Sequence, residues 1–94
     1  MKEFVVGQTV MIPCLVAPGA FETEALVTIE LEGEKIAGFV KREFVHDNAL
    51  EGTVVEVGKN WITVKLPGSY FTRASGRTRF PADWASANLA FASA

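Results

Sequence analysis

Apolar side chains recur at every second position along much of this chain, and that rhythm predicts strands. Across residues 9–16, Val10, Ile12, Cys14 and Val16 fall on one face, with Thr9 and Pro13 on the other. Pro13 has no amide hydrogen to give to a neighbouring strand, so this run is expected to lie partly at a sheet edge. Val27, Ile29 and Leu31 alternate with Thr28, Glu30 and Glu32, the cleanest one-sided pattern in the chain. Gly33-Glu34 then predicts a tight turn into residues 35–41, where Ile36 and Val40 continue the inner face. A second hairpin is predicted from Thr53, Val55 and Val57, through Gly58-Lys59-Asn60, to Ile62, Val64 and Leu66. With those last three inside, Trp61, Thr63 and Lys65 must face outward. A final short strand is predicted at 77–80, and long loops at 17–24 and 67–76.

Five or six such strands can bury their apolar sides by curling around one core, and a small barrel also removes exposed edges. The expected fold is therefore all-β: a small five- to six-stranded barrel spanning residues 1–85. Residues 86–94 form an Ala/Ser-rich tail that frays or makes a short helix from Pro81 onward. Nothing before residue 81 has helical periodicity.

Composition agrees with this picture. The 94 residues fit one domain, and seven Phe and two Trp in a chain that is 49% hydrophobic supply its core. A net charge of −2 with that much apolar material excludes the disordered class. One cysteine, Cys14, cannot close an internal disulfide, and with a single His it cannot assemble a metal site from N and S donors. No metal and no cofactor are expected. The start MKEFVV is too short and too charged for a secretory signal, and no apolar run is long enough to span a bilayer. A cytoplasmic protein with no membrane contact is the expectation.

Two segments resemble each other. GFVKREFV at 38–45 and RTRFPADWA at 77–85 each run from a strand through a polar step to an acidic residue followed by an aromatic one, Glu43-Phe44 and Asp83-Trp84. Each predicts a strand that ends in one turn of 3₁₀ helix, with the aromatic folded back over an open end of the barrel. FPADWA also resembles the closing signature of SH3 domains, and GFVKREFV is similar with Lys41 in place of the proline. The resemblance implies an SH3-like barrel with 3₁₀ turns, and it would make Pro81 and Trp84 lining residues of a groove for proline-rich peptides. The aromatic motif that SH3 domains carry after their first strand is replaced here by CLVAPGAFETEAL, and Trp61 is followed by Ile62 rather than by a second tryptophan. RASGR at 73–77 is similar to the RxxxR element of PilZ barrels, but the companion D/N-x-S-x-x-G motif does not occur, which leaves that match to chance.

Charge gives the sharpest functional signal. Glu22, Glu24, Glu30, Glu32 and Glu34 follow one another with no basic residue between them. Lys59, Lys65, Arg73, Arg77 and Arg79 do the same with no acidic one. If the strands carrying the second set adjoin, one outward face holds Trp61, Lys65, Arg77 and Arg79, with Tyr70 and Arg73 in the neighbouring loop. Such a face suits a non-catalytic interaction module or accessory subunit that binds a protein partner or a second copy of itself. Single-stranded nucleic acid on the same face is the alternative, since cations around an aromatic ring hold phosphate and stack bases. Proline-rich peptide at Pro81 and Trp84 comes third. A sequence pI near 5.3 weighs against nucleic acid.

Catalysis has little support. His46-Asp47 reads as an exposed turn, Glu30 and Glu32 as a solvated strand face, and Cys14 as a small core residue. Neither a phosphate-binding Walker pattern nor GxGxxG occurs. No enzyme is expected.

Overall fold

Pro13 divides the first apolar run into two strands, β1 (Thr9–Pro13) and β2 (Leu15–Pro18). At the break, the Cys14 amide donates to the Asn48 carbonyl at 2.9 Å and the chain passes from one sheet to another. A computed structural model of the chain describes residues 3–70 and 76–92, with Ser69 and Tyr70 described through their backbone alone. The remaining elements are β3 (Glu24–Leu31), β4 (Glu34–Lys41), a 3₁₀ turn (Arg42–Phe44), β5 (Val45–His46), β6 (Ala49–Val57), β7 (Trp61–Lys65), β8 (Ser69–Tyr70), β9 (Arg77–Pro81), α1 (Ala82–Asn88) and β10 (Ala90–Phe91).

The fold is all-β, as the alternation predicts, but its strands are not closed into one barrel. They form two antiparallel sheets: β10-β1-β6-β7-β9, with β5 added to β6, and β2-β3-β4-β8. The first expected strand is broken where the chain changes sheet, and the short strands β5, β8 and β10 form in segments expected as turn, loop and tail, so the described residues hold ten strands rather than five or six. The inner faces meet in a single core. Val10, Ile12, Leu50, Val54, Ile62, Val64 and Phe80 from the first sheet pack with Val27, Ile29, Ile36 and Val40 from the second. Pro13 is exposed at the end of β1, past the two residues that β10 pairs, so the partial-edge expectation holds there.

Three local details depart from the alternation. The first hairpin turns on Glu32-Gly33 instead of Gly33-Glu34, with φ of 48° and 83°. Two successive positive φ values are the signature of a type I′ turn, whose twist matches the flanking strands. Glu32 therefore leaves the strand face that it would share with Glu30, and Glu30 faces Lys35 across the ladder with 3.9 Å between Nζ and Oε1. On β6 the buried positions are Leu50, Gly52 and Val54, while Thr53 and Val57 are exposed, because a bulge between Val54 and Glu56 shifts the register. FPADWA makes no 3₁₀ turn. Pro81, at φ −57°, leads into the two-turn helix α1, whose Ala-rich ADWASAN sequence propagates the first turn. The 3₁₀ turn expected in GFVKREFV is present, and it stops where Val45 and His46 pair with β6. Phe44 and Trp84 both pack against the core. The C-terminal segment continues past α1 through fully buried Leu89 to β10, where Phe91 meets Phe4 edge-on at 5.4 Å.

Among the described residues one polar group in the core has no partner: the Thr78 hydroxyl, in a residue only 1% exposed. A buried hydroxyl left unpaired costs about 1–3 kcal/mol. Thr78→Val keeps the shape and removes the penalty, so the variant should melt about 4–8 °C higher for each kcal/mol gained. A thermal melt checks it; an unchanged or lower midpoint would mean that the hydroxyl is satisfied in solution.

Candidate interaction face

The outward residues of β7 and β9 meet in register. Lys65 lies opposite Arg77, Thr63 opposite Arg79, and Trp61 opposite Pro81. β6 extends two of these rows, with Thr53 beside Lys65 and Glu56 beside Thr63. Because β7 and β9 adjoin, Trp61, Lys65, Arg77 and Arg79 share one face, with Pro81 at its end. Tyr70 stands on β8 in the other sheet, paired with Gly38, and its side chain is not described. Arg73 lies outside the described residues.

The Arg79 guanidinium lies over the Trp61 ring, 4.1 Å from its centroid. The two are diagonal neighbours on adjacent strands, a spacing that long side chains bridge, and the contact contributes about 0.5–1 kcal/mol at an accessible site. Gly58 makes room for the indole: any Cβ there would run into the Trp61 ring. Trp61 is thus held between the turn and Arg79, half-buried. A guanidinium carries five N–H donors, so Arg79 can sit over the ring and still offer donors to a carboxylate.

Charge on this face is graded. Thr63 is 7% exposed, and its hydroxyl donates to Glu56 Oε1 at 3.3 Å. The face therefore runs from a carboxylate on β6, through Lys65 on β7, to two arginines on β9, the last strand of the sheet. A shallow groove of about 310 Å³ continues it past Thr9, Thr53 and Lys65 toward Phe44 and Pro67.

The other candidates fall elsewhere. Trp84 stacks on buried Phe80, with centroids 5.0 Å apart and planes 11° from parallel. It lines a separate cavity of about 340 Å³ with Pro13, Cys14, Leu15 and Glu30, so Pro81 beside Trp61 and Trp84 under Phe80 do not form one groove. Burial pushes the Cys14 thiol up from its ordinary value, as befits a core residue. His46 lies on β5, and its carboxylate partner is Glu51 on the neighbouring strand, 3.3 Å away, instead of adjacent Asp47. Among the described residues no three His, Cys, Asp or Glu side chains gather around a common point, and no helix is long and apolar enough to cross a membrane.

Glu56 is the member of the face that alternation misses, and Thr63, expected to face outward into solvent, is buried beneath it. The run Val54-Val55-Glu56 breaks the two-residue rhythm and is the one visible trace of the bulge that brings Glu56 beside Thr63. Comparison with protein-family models, curated proteins and solved structures finds no match to this chain.

Proposed function

We propose that this domain is a non-catalytic protein-interaction module, and that it docks an acidic protein segment on the face formed by Trp61, Lys65, Arg77, Arg79 and Pro81. The observation that carries this reading is the row of Lys65, Arg77 and Arg79 on one face of β7 and β9, with Arg79 held over Trp61 and β9 at the border of the sheet. Aromatic and arginine side chains are the residues that dominate protein interfaces, because they offer area and directed donors at little entropic cost.

One feature favours protein over single-stranded nucleic acid: Arg79 occupies the indole surface on which a base would stack.

The test is a titration with a synthetic peptide of alternating glutamate and valine, followed by tryptophan fluorescence, beside a single-stranded oligothymidine of equal charge. The peptide should bind at physiological salt, the oligonucleotide should not, and Arg77→Glu with Arg79→Glu should weaken the peptide about tenfold or more, equivalent to at least 1.4 kcal/mol. Tight oligonucleotide binding that the double variant abolishes would transfer the face to nucleic acid. Indifference of peptide binding to the double variant would remove it altogether.

A further inference from the structure

The backbone of β9 adds a second kind of information to this face. β9 pairs with β7 on one side, and among the described residues no strand pairs with its other side. The hydrogen-bond phase of the pair is set at both ends. The Ala82 amide donates to the Asn60 carbonyl at 3.0 Å, and the Leu66 amide to the Gly76 carbonyl at 2.7 Å. In an antiparallel ladder, directly opposed residues alternate between pairs that exchange both bonds and pairs that exchange none. Asn60 with Ala82 and Leu66 with Gly76 are bonded, so Ile62 with Phe80 and Val64 with Thr78 are the bonded pairs between them. Arg77, Arg79 and Pro81 then turn their backbone polar groups away from β7, toward the open edge. Proline at position 81 costs nothing there, because the amide it lacks would have pointed outward.

Resting on the proposed docking of an acidic segment, we infer that the segment binds as an added β-strand along the outer edge of β9, pairing with the N–H and C=O groups of Arg77 and Arg79 while its carboxylates meet their guanidinium groups. Edge addition draws its affinity from main-chain hydrogen bonds and its specificity from alternate side chains. Here the alternate positions on the outer side are arginines, with Lys65 directly behind Arg77. A strand with acidic residues at every second position presents each carboxylate to that row. Its intervening apolar residues fall on the inner side, next to Thr78 and Phe80.

A second β9 strand does not fit the edge. Two β9 strands paired side by side would bring four arginines together on one face, and like charges directly opposed are destabilising. The other outer strands of a second copy, β2, β8 and β10, carry no acidic residue to present to the arginines. The edge therefore suits an acidic extended chain supplied by another protein.

The experiment pairs amide hydrogen exchange with a backbone-blocked probe. In the free protein the Arg77 and Arg79 amides should exchange rapidly and those of Thr78 and Phe80 slowly. On adding the alternating glutamate–valine peptide, Arg77 and Arg79 should become protected about tenfold or more, consistent with 1.4 kcal/mol. A peptide of the same sequence with alternate amides N-methylated keeps every charge but cannot form the ladder, and should bind about tenfold more weakly. Equal affinity for both peptides, with Arg77 and Arg79 still exchanging rapidly, overturns strand addition while leaving the docking face intact. Failure of both peptides to bind takes the docking face with it. Protection of Arg77 and Arg79 in the free protein that grows with protein concentration would assign the edge to self-pairing and overturn the inference.

Discussion

Phe80→Ala should remove most of this domain's stability. Phe80 is fully buried, lies across the ladder from Ile62, and stacks on Trp84 with 5.0 Å between ring centroids. Truncating a buried phenylalanine costs about 3–5 kcal/mol, through lost transfer energy and the cavity left behind. The lost aromatic pair accounts for about 0.5–1.5 kcal/mol of directional preference within that range of effects. Domains of this kind are stable by only about 5–15 kcal/mol in total. A thermal melt of the variant should therefore fall by tens of degrees, at about 4–8 °C per kcal/mol. Trp84 would lose the surface it stacks on, so its emission should move to the red even below the melting transition. A Phe80→Ala protein melting within a few degrees of the parent would mean that the helix docks on something other than this ring.

Gly52→Ala should overpack the core and destabilise the domain. Gly52 is buried on the inner side of β6, and a Cβ built there would lie 2.6 Å from Val64 Cγ1 and 3.0 Å from Ile12 Cδ1. Its φ is not in the left-handed region, so the effect is steric and owes nothing to backbone strain. Both neighbours are fully buried β-branched residues on the flanking strands, with few alternative rotamers. Overpacking of this sort costs about 1–3 kcal/mol. The midpoint should drop accordingly in a chemical denaturation series. Val64→Ala made in the same chain should recover part of the loss, since it clears the space that the new methyl needs. Full stability of Gly52→Ala would show that the strands around β6 slide apart without penalty.

The candidate face was legible in the sequence to the extent that it depends on alternation. Ile62, Val64 and Leu66 are buried, Lys65, Arg77 and Arg79 are exposed, and their strands adjoin. Alternation fixes which side of a strand each residue takes, and the 58–60 turn brings β6 alongside β7. What the residue pattern could not convey is pairing across sequence distance. Nothing local states that Arg79 reaches Trp61, that Thr63 is roofed by Glu56, or that His46 finds Glu51 before Asp47. Those contacts depend on ladder registers between strands, and one of these registers is shifted by a bulge. Trp84 shows the limit from the other side. Its repeat with Phe44 suggested an aromatic folded back on the core and its SH3-like motif a groove residue beside Pro81; the segment forms a helix instead of a 3₁₀ turn, and the indole lies on Phe80.

By itself the sequence determined the class of fold, the inward set of side chains and the outward placement of the basic residues, because each follows from a two-residue period acting within single strands. The division into two open sheets, the position of β9 at a border and the phase of its hydrogen bonds were decided by the tertiary structure alone. Those properties belong to pairs of strands: they arise when Pro13 interrupts one ladder, a bulge shifts another, and the chain must share one core between both sheets.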